Sequence, residues 1–207
     1  MRGVMAPLTL LQLLQLADSA IPIGAAAHSF GLETLASDGN LHPENLADFL
    51  SGWLEEAGSQ EGIFVRRAYT ADLPALSEEL SARKPARESR EASLKLGRRF
   101  VQLVNTLAGT QIATDLHYPI AFGSAAAGLG IDPDSAVLAY LQQSVAGLVS
   151  ACQRLMPLGQ VAAASIVWNL KPAIEQAAAQ NELSCFMPLQ EIASMRHPLL
   201  ETRLFIS

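Results

Sequence analysis

Apolar residues recur along this chain at the period of an α-helix. Leu46, Phe49, Leu50, Trp53, Leu54 and Ala57 make one stripe, spaced as a single buried helix face requires. Pro43 stands where a first turn tolerates a missing N–H, and Gly58 marks the expected end. Leu96, Phe100, Leu103, Val104 and Leu107 make a second stripe, closed by Gly109. Val137, Leu138, Leu141, Ser144, Val145, Leu148, Val149 and Cys152 make a third. Asp132-Pro133-Asp134 ahead of it supplies a capping carboxylate and a first-turn proline. Pro157 and Pro172 bracket a further apolar segment with Val161, Ile166, Val167 and Trp168. Nowhere do β-branched residues alternate with polar ones long enough to predict a strand. The pattern predicts an all-α, single-domain helical bundle over residues 1–207, with short loops.

Three places break the rhythm. Ile21-Pro22-Ile23-Gly24 reads as a loop between two short helices, and Leu80 to Pro85 as a polar, mobile hinge. After His197-Pro198 the chain is expected to leave its last helix, making 198–207 an extended C-terminal tail. No repeat at a solenoid period is evident.

Composition sharpens this reading. Alanine (33) and leucine (32) make up about a third of the 207 residues, which favours helices. Half the residues are hydrophobic and 16% charged, a balance that excludes disorder as the main state. A formal net charge of -6 argues against nucleic acid as a partner, because such binding needs a cationic footprint. Cys152 and Cys185 form no CxxC and are too few for a disulfide framework, so a reduced, cytoplasmic compartment is expected. Met1 to Leu16 resembles a secretory leader in outline, but Gln12 and Gln15 interrupt its apolar run and no cleavage site follows. The uncharged stretch from Ser135 to Gln153 is long enough to span a bilayer. Its Gln142, Gln143, Ser144, Ser150 and Gln153 would be costly there, so a buried core helix is expected and no membrane partner.

Motifs for chemistry are missing. The chain has no P-loop, no GxGxxG after a strand, no HExxH, no Gly-x-Ser-x-Gly and no cysteine pair at zinc spacing. His28, His42, His117 and His197 each lie on a separate segment, and no residue is read as catalytic or as a metal ligand. The main charge feature is Arg83, Lys84, Arg87, Arg90, Lys95, Arg98 and Arg99 against Glu88 and Glu91, a local net charge of +5. It reads either as a solvated helix face or as an electrostatic dock for an acidic partner.

Five stretches, in order from about residue 10 to residue 207, together resemble the urease accessory protein UreF family. They are Leu16 to Gly24 continuing through His28-Ser29-Phe30-Gly31-Leu32-Glu33; Arg90, Ser93, Gly97, Arg98 and Phe100; His117 to Gly123; Arg154 to Gln160; and Met195-Arg196-His197 with Thr202-Arg203-Leu204-Phe205-Ile206-Ser207. The resemblance implies an all-α, non-catalytic maturation factor that forms a homodimer. Its implied partners are an accessory protein of the D/H type, a nickel-carrying GTPase and the urease apoprotein. Nickel would pass transiently, with no tightly bound cofactor, and GTP hydrolysis would be regulated.

The resemblance places partner contacts at Arg154, Gln160, Arg203, Leu204, Phe205 and Ser207. Loop, dimer or GTPase contacts fall at Gly24, His28, Ser29, Gly31, Glu33, Arg90 and Arg98. Arg203 is expected either to anchor the tail, since a guanidinium bonds several carbonyls or a carboxylate at once, or simply to close the last helix. Arg154 is either a partner contact or a cation favoured by the helix dipole. Gly24, Gly31, Gly97 and Gly159 read as backbone or close-packing requirements, and Gln160 as the lining of a polar passage or a helix N-terminus. The chain also departs from the family pattern. Ala25-Ala26-Ala27 stands where a ring is usual, Ile206 where a basic residue is frequent, and Pro198 replaces a glutamate, which leaves His197 without its usual partner. A competing expectation is a small haem- or metal-binding enzyme using His28 or His117 as ligand.

Overall fold

The computed structural model describes residues 5–207, and among these there is no strand. In chain order the helices are α1 (Pro7–Leu16), α2 (Leu32–Ser37), α3 (Leu46–Trp53), α4 (Ser59–Arg67), α5 (Leu73–Arg83) and α6 (Arg87–Ala108). They continue with α7 (Tyr118–Gly128), α8 (Pro133–Leu155), α9 (Gln160–Asn169), α10 (Lys171–Ala178) and α11 (Pro188–Arg196). Short 3₁₀ turns lie at Ala25–Ala27 and His197–Leu199. Met1–Val4, the basic start of the leader-like segment, lie outside the described residues.

The predicted stops and starts fare unequally. Asp132 caps α8 by accepting from the Ser135 N–H at 2.9 Å, and Gly109 closes α6 in the left-handed region at φ 67°. Gly58 does not end its helix. A π turn over Leu54–Gly58 joins α3 to α4, and Gly58 stays right-handed at φ -62°. The extra residue of a π turn shifts the apolar stripe, so α4 buries Ile63, Phe64 and Val65. The proposed hinge at 80–85 is also overturned. Leu80 is buried, the Lys84 carbonyl accepts from Arg90 at 2.8 Å, and Lys84 Nζ meets Glu61 Oε1 at 2.6 Å. Glu61 accepts in turn from the Tyr140 hydroxyl at 2.8 Å. Charges taken this far from water stay where their partners are, and the joint is pinned.

Helix α7 is the centre of the bundle, packed against α4, α6 and α8. Its neighbours come unusually close. A Cβ on Gly97 of α6 would lie 2.0 Å from the Leu116 carbonyl oxygen, and one on Gly123 of α7 would lie 2.2 Å from that of Val65. Glycine at these two crossings lets backbone meet backbone. Phe100, Tyr118, Phe122 and Tyr140 fill the space around them with ring centroids 5.4–6.4 Å apart, the range of favourable aromatic pairs. Helix α8 is long and apolar enough to cross a bilayer. Here it buries Val137, Tyr140, Leu141, Val145, Leu148, Val149 and Cys152 against the other helices, as a core helix does.

Candidate functional site

After the turn at His197–Leu199 the chain runs without helix to Ser207, across the loop that leads into α2. Residues predicted far apart in sequence meet here. Glu33, in the first turn of α2, is buried. Its Oε1 accepts from the Leu204 N–H at 2.5 Å, and its Oε2 from the Phe205 N–H at 3.1 Å and from His197 Nε2 at 2.8 Å. His197 is fully buried, and its Nδ1 lies 2.8 Å from Glu88 Oε2 of α6. Each ring nitrogen of His197 thus faces one glutamate, Nε2 facing Glu33 and Nδ1 facing Glu88.

Arg154, in the last turn of α8, grips the same segment from the other side. Its guanidinium donates to the Ala26 carbonyl at 2.7 Å and to the Leu204 carbonyl at 3.3 Å. It also stacks 4.2 Å over the buried Phe205 ring, a cation–π contact. The Ile206 N–H donates to the Ala27 carbonyl at 2.8 Å. The Ser207 carbonyl accepts from the Ser29 N–H at 2.5 Å, the Phe30 N–H at 3.3 Å and the Ser29 hydroxyl at 3.1 Å, while Ser207 Oγ meets His28 Nδ1 at 2.7 Å. Phe30 takes the left-handed conformation at φ 52°, the only described non-glycine residue to do so. Its carbonyl is held by Gln190 Nε2 at 3.0 Å. Gly31 follows at φ 89° and leaves no room for a side chain, since a Cβ would come within 2.8 Å of Ser194 Oγ.

Electrostatics fit this clasp. Burial works to raise the Glu33 carboxyl, but the Leu204 N–H, the His197 hydrogen bond and the Phe205 N–H outweigh it and hold the group below its usual value. Burial lowers His28 to about 4, assisted by the charges of Lys95 and Arg99. Burial likewise lowers His117 to about 3, with Lys84 and Arg90 adding to the effect. Both rings are therefore neutral at physiological pH.

Most of the expected site residues converge here, but several change roles. Arg203 is not the anchor. It is exposed, and its nearest carboxylate, Glu88, is 3.9 Å away; Glu33 and Arg154 do the anchoring instead. Phe205 and Ser207 are buried in the protein's own surface, leaving Arg203, Leu204 and Ile206 outward. Glu33, Ser29 and His28 are likewise buried internal partners. His197 is not left alone by Pro198, because Glu33 and Glu88 flank it. Arg90 bonds the Lys84 carbonyl, and Arg98 makes a surface pair with Asp115 at 2.8 Å. Gly24 sits at φ 84° against the Arg99 guanidinium, and Gly97 fills the crossing described above, whereas Gly159 has open space around it and meets no such requirement. Gln160 begins α9 at an exposed groove with Val161, Ala164, Ser165 and Trp168.

Five members of the clasp were missed. Glu88 had a signal, as one of only two acids in a basic segment. Gln190, Ser194 and the Ala26 and Ala27 carbonyls had none, because a main-chain acceptor leaves no trace in sequence. The basic segment is largely neutralised internally. Arg83, Lys84, Arg87 and Arg98 each pair with a carboxylate, and Arg90 and Arg99 bond carbonyls. Both candidate haem ligands are taken up in the protein's own packing. His28 and His117 are buried and bonded to Ser207 and Ser81. Among the described residues, no three His, Cys, Asp or Glu side chains are grouped to hold a metal ion.

Comparison with known proteins points one way. The UreF family model matches residues 41–171. A protein named urease accessory protein UreF from Nostoc sp. is 35% identical, with 95% of each chain covered. Proteins of the same name from Paenarthrobacter aurescens and Azorhizobium caulinodans are each 34% identical, covering 95% and 98% of this chain and 97% of their own. The family model thus spans the centre of the bundle, and these longer alignments cover almost the whole chain.

Proposed function

Because the chain belongs to the UreF family of urease accessory proteins, we propose that it serves urease maturation as a non-catalytic scaffold. In this reading it bridges a D/H-type accessory protein and a nickel-carrying GTPase, regulates GTP hydrolysis, and assists nickel delivery to the urease apoprotein in the cytoplasm. The observation that carries the reading is the clasped tail. Segment 203–207 is held to the bundle mainly through its main chain, so the side chains of Leu204 and Ile206, and of Arg203 with only a long contact to Glu88, face outward toward a partner. An exposed guanidinium flanked by aliphatic side chains is a common anchor at protein interfaces. Glu33 has both oxygens committed to hydrogen bonds and His197 both nitrogens, which suits holding a shape better than shuttling protons.

Self-association is part of the proposal. Val161 and Trp168 of α9 are 82% and 70% exposed, with Leu138 of α8 also outward. Small Ala164 and Ser165 between them would let a second copy's helix approach closely. Nickel is passing cargo in this reading; among the described residues no three His, Cys, Asp or Glu side chains gather to hold it.

The test is co-purification with the D/H-type accessory protein and the nickel GTPase of the same source. Wild type is compared with Arg203→Ala and with a chain ending at Pro198. The expected result is a complex with wild type that weakens with Arg203→Ala and is lost with the truncation. A wild-type chain that captures neither protein would overturn the reading.

A further inference from the structure

We propose that Glu33 is the positioning residue of the docking tail: it fixes residues 203–207 through their main chain and through His197, so that loop 24–31 and the tail form one surface that orders or loosens as a unit. This rests on the tail being the docking element and says what sets that element's shape.

The contacts divide cleanly between path and message. On the tail's side, the polar groups used are the N–H of 204, 205 and 206, the carbonyls of 204 and 207, and the Ser207 hydroxyl. The clasp therefore reads the course of the chain. The outward side chains, Arg203, Leu204 and Ile206, take no strong part in it. Where they point is decided by where the main chain is pinned, and among the described residues Glu33 supplies the only side-chain oxygens that accept from it.

The loop depends on the tail in return. A bulky residue in the left-handed region is costly and persists only where its surroundings over-determine it. Phe30 is such a residue, and one of its restraints is the N–H to the Ser207 carbonyl. The Ala27 carbonyl likewise finds the Ile206 N–H only when the tail is in place, and Arg154 of α8 ties the loop to the tail by bonding both the Ala26 and the Leu204 carbonyls. Removing the tail takes the Ser207 carbonyl from the Ser29 and Phe30 donors of this strained turn and leaves Gln190 as its remaining restraint, and releasing the loop removes the surface the tail lies on.

Glutamine is the informative replacement at position 33. It keeps the size but has one acceptor oxygen and an NH₂ group. In one orientation the NH₂ faces the Leu204 N–H. In the other it faces the Phe205 N–H and the His197 donor. Either way a donor meets a donor, and charge-assisted bonds are replaced by neutral ones.

The experiment uses the full chain. Amide hydrogen exchange is followed by mass spectrometry over 198–207, 24–31 and α8, alongside titration against the D/H-type accessory protein and the GTPase. In Glu33→Gln, exchange over 203–207 is expected to speed by about tenfold or more, with loop 24–31 following, α8 unchanged and partner binding weakened. Wild-type protection of the tail in this variant would overturn the proposal, whatever binding does. A tail that loosens while loop 24–31 keeps its protection would overturn the single-surface claim. If tail and loop loosen and both partners still bind with wild-type affinity, Glu33 stands as the positioning residue and tail docking is what fails. Should α8 also lose protection, Glu33→Asp decides. It keeps the charge opposite His197 but is one methylene too short to reach both main-chain amides, so the same loosening is expected, and an unchanged tail again overturns the proposal.

Discussion

The aromatic centre around α7 and the clasp around Glu33 are both buried, yet they are built on opposite terms. At the centre, Phe100, Tyr118, Phe122 and Tyr140 come from consecutive helices. Their attraction is mostly non-directional burial, so many similar sequences would serve. At the clasp, His28, Glu33, Arg154, His197 and Ser207 lie up to 179 positions apart. Each interaction needs a donor opposite an acceptor at about 3 Å. The centre is built without any residue of the tail, while the clasp joins the tail to α2, α6 and α8.

The comparison can be broken or sharpened by experiment. The largest effect is expected from Phe122→Ala, which opens a cavity among packed rings and should lower unfolding free energy by about 4 kcal/mol. Denaturant unfolding followed by far-UV circular dichroism measures it. A loss under about 1 kcal/mol would mean the ring cluster is not the core.

Acidification should strike both regions. His117 and His28 have folded values of about 3 and about 4 against about 6.5 unfolded. Below pH 6.5 the unfolded chain therefore binds protons that the folded one excludes, and stability falls with pH through that window. Glu33, held below its usual value, stabilises fully above about pH 4.5 and loses that contribution as pH falls through its folded value. Unfolding midpoints at pH 7, 6, 5 and 4 should decline steadily, and His117→Asn should flatten the upper part of the curve. A flat profile in the wild type would contradict buried neutral histidines.

Arg154→Ala removes two carbonyl bonds and a stacked cation from an exposed position. It should loosen 204–207 by about 1–2 kcal/mol of local opening while shifting the global melt by only a few degrees. Equal loss in tail and bundle would show that the clasp is part of the main cooperative unit. The smallest stability effect belongs to Trp168→Ala on α9, within about 0.5 kcal/mol. Its consequence should instead appear in sedimentation as a shift from dimer to monomer. A shift in the melt with no change in mass would return Trp168 to the core.

Much of this architecture is legible in the amino-acid order. Period and punctuation alone identify α6, α8 and the all-α class, because an amphipathic stripe and a cap depend on residues within a few turns. Family motifs also bring His28, Glu33, Arg154 and the tail into one list of candidates. Their roles are another matter. Arg154 and Arg203 are both arginines beside recognisable motifs, and nothing local says that the first is the clamp and the second the free group. Gly58 reads as a helix end, yet the helix continues, because the π turn is stabilised by packing that sequence does not display. His197 beside Pro198 reads as orphaned until α2 and α6 bring Glu33 and Glu88 to its two nitrogens. The chain by itself determined where helices form, since that free energy is local. Only the tertiary structure decided which polar groups face one another, since hydrogen bonds are short, directional and indifferent to distance along the sequence.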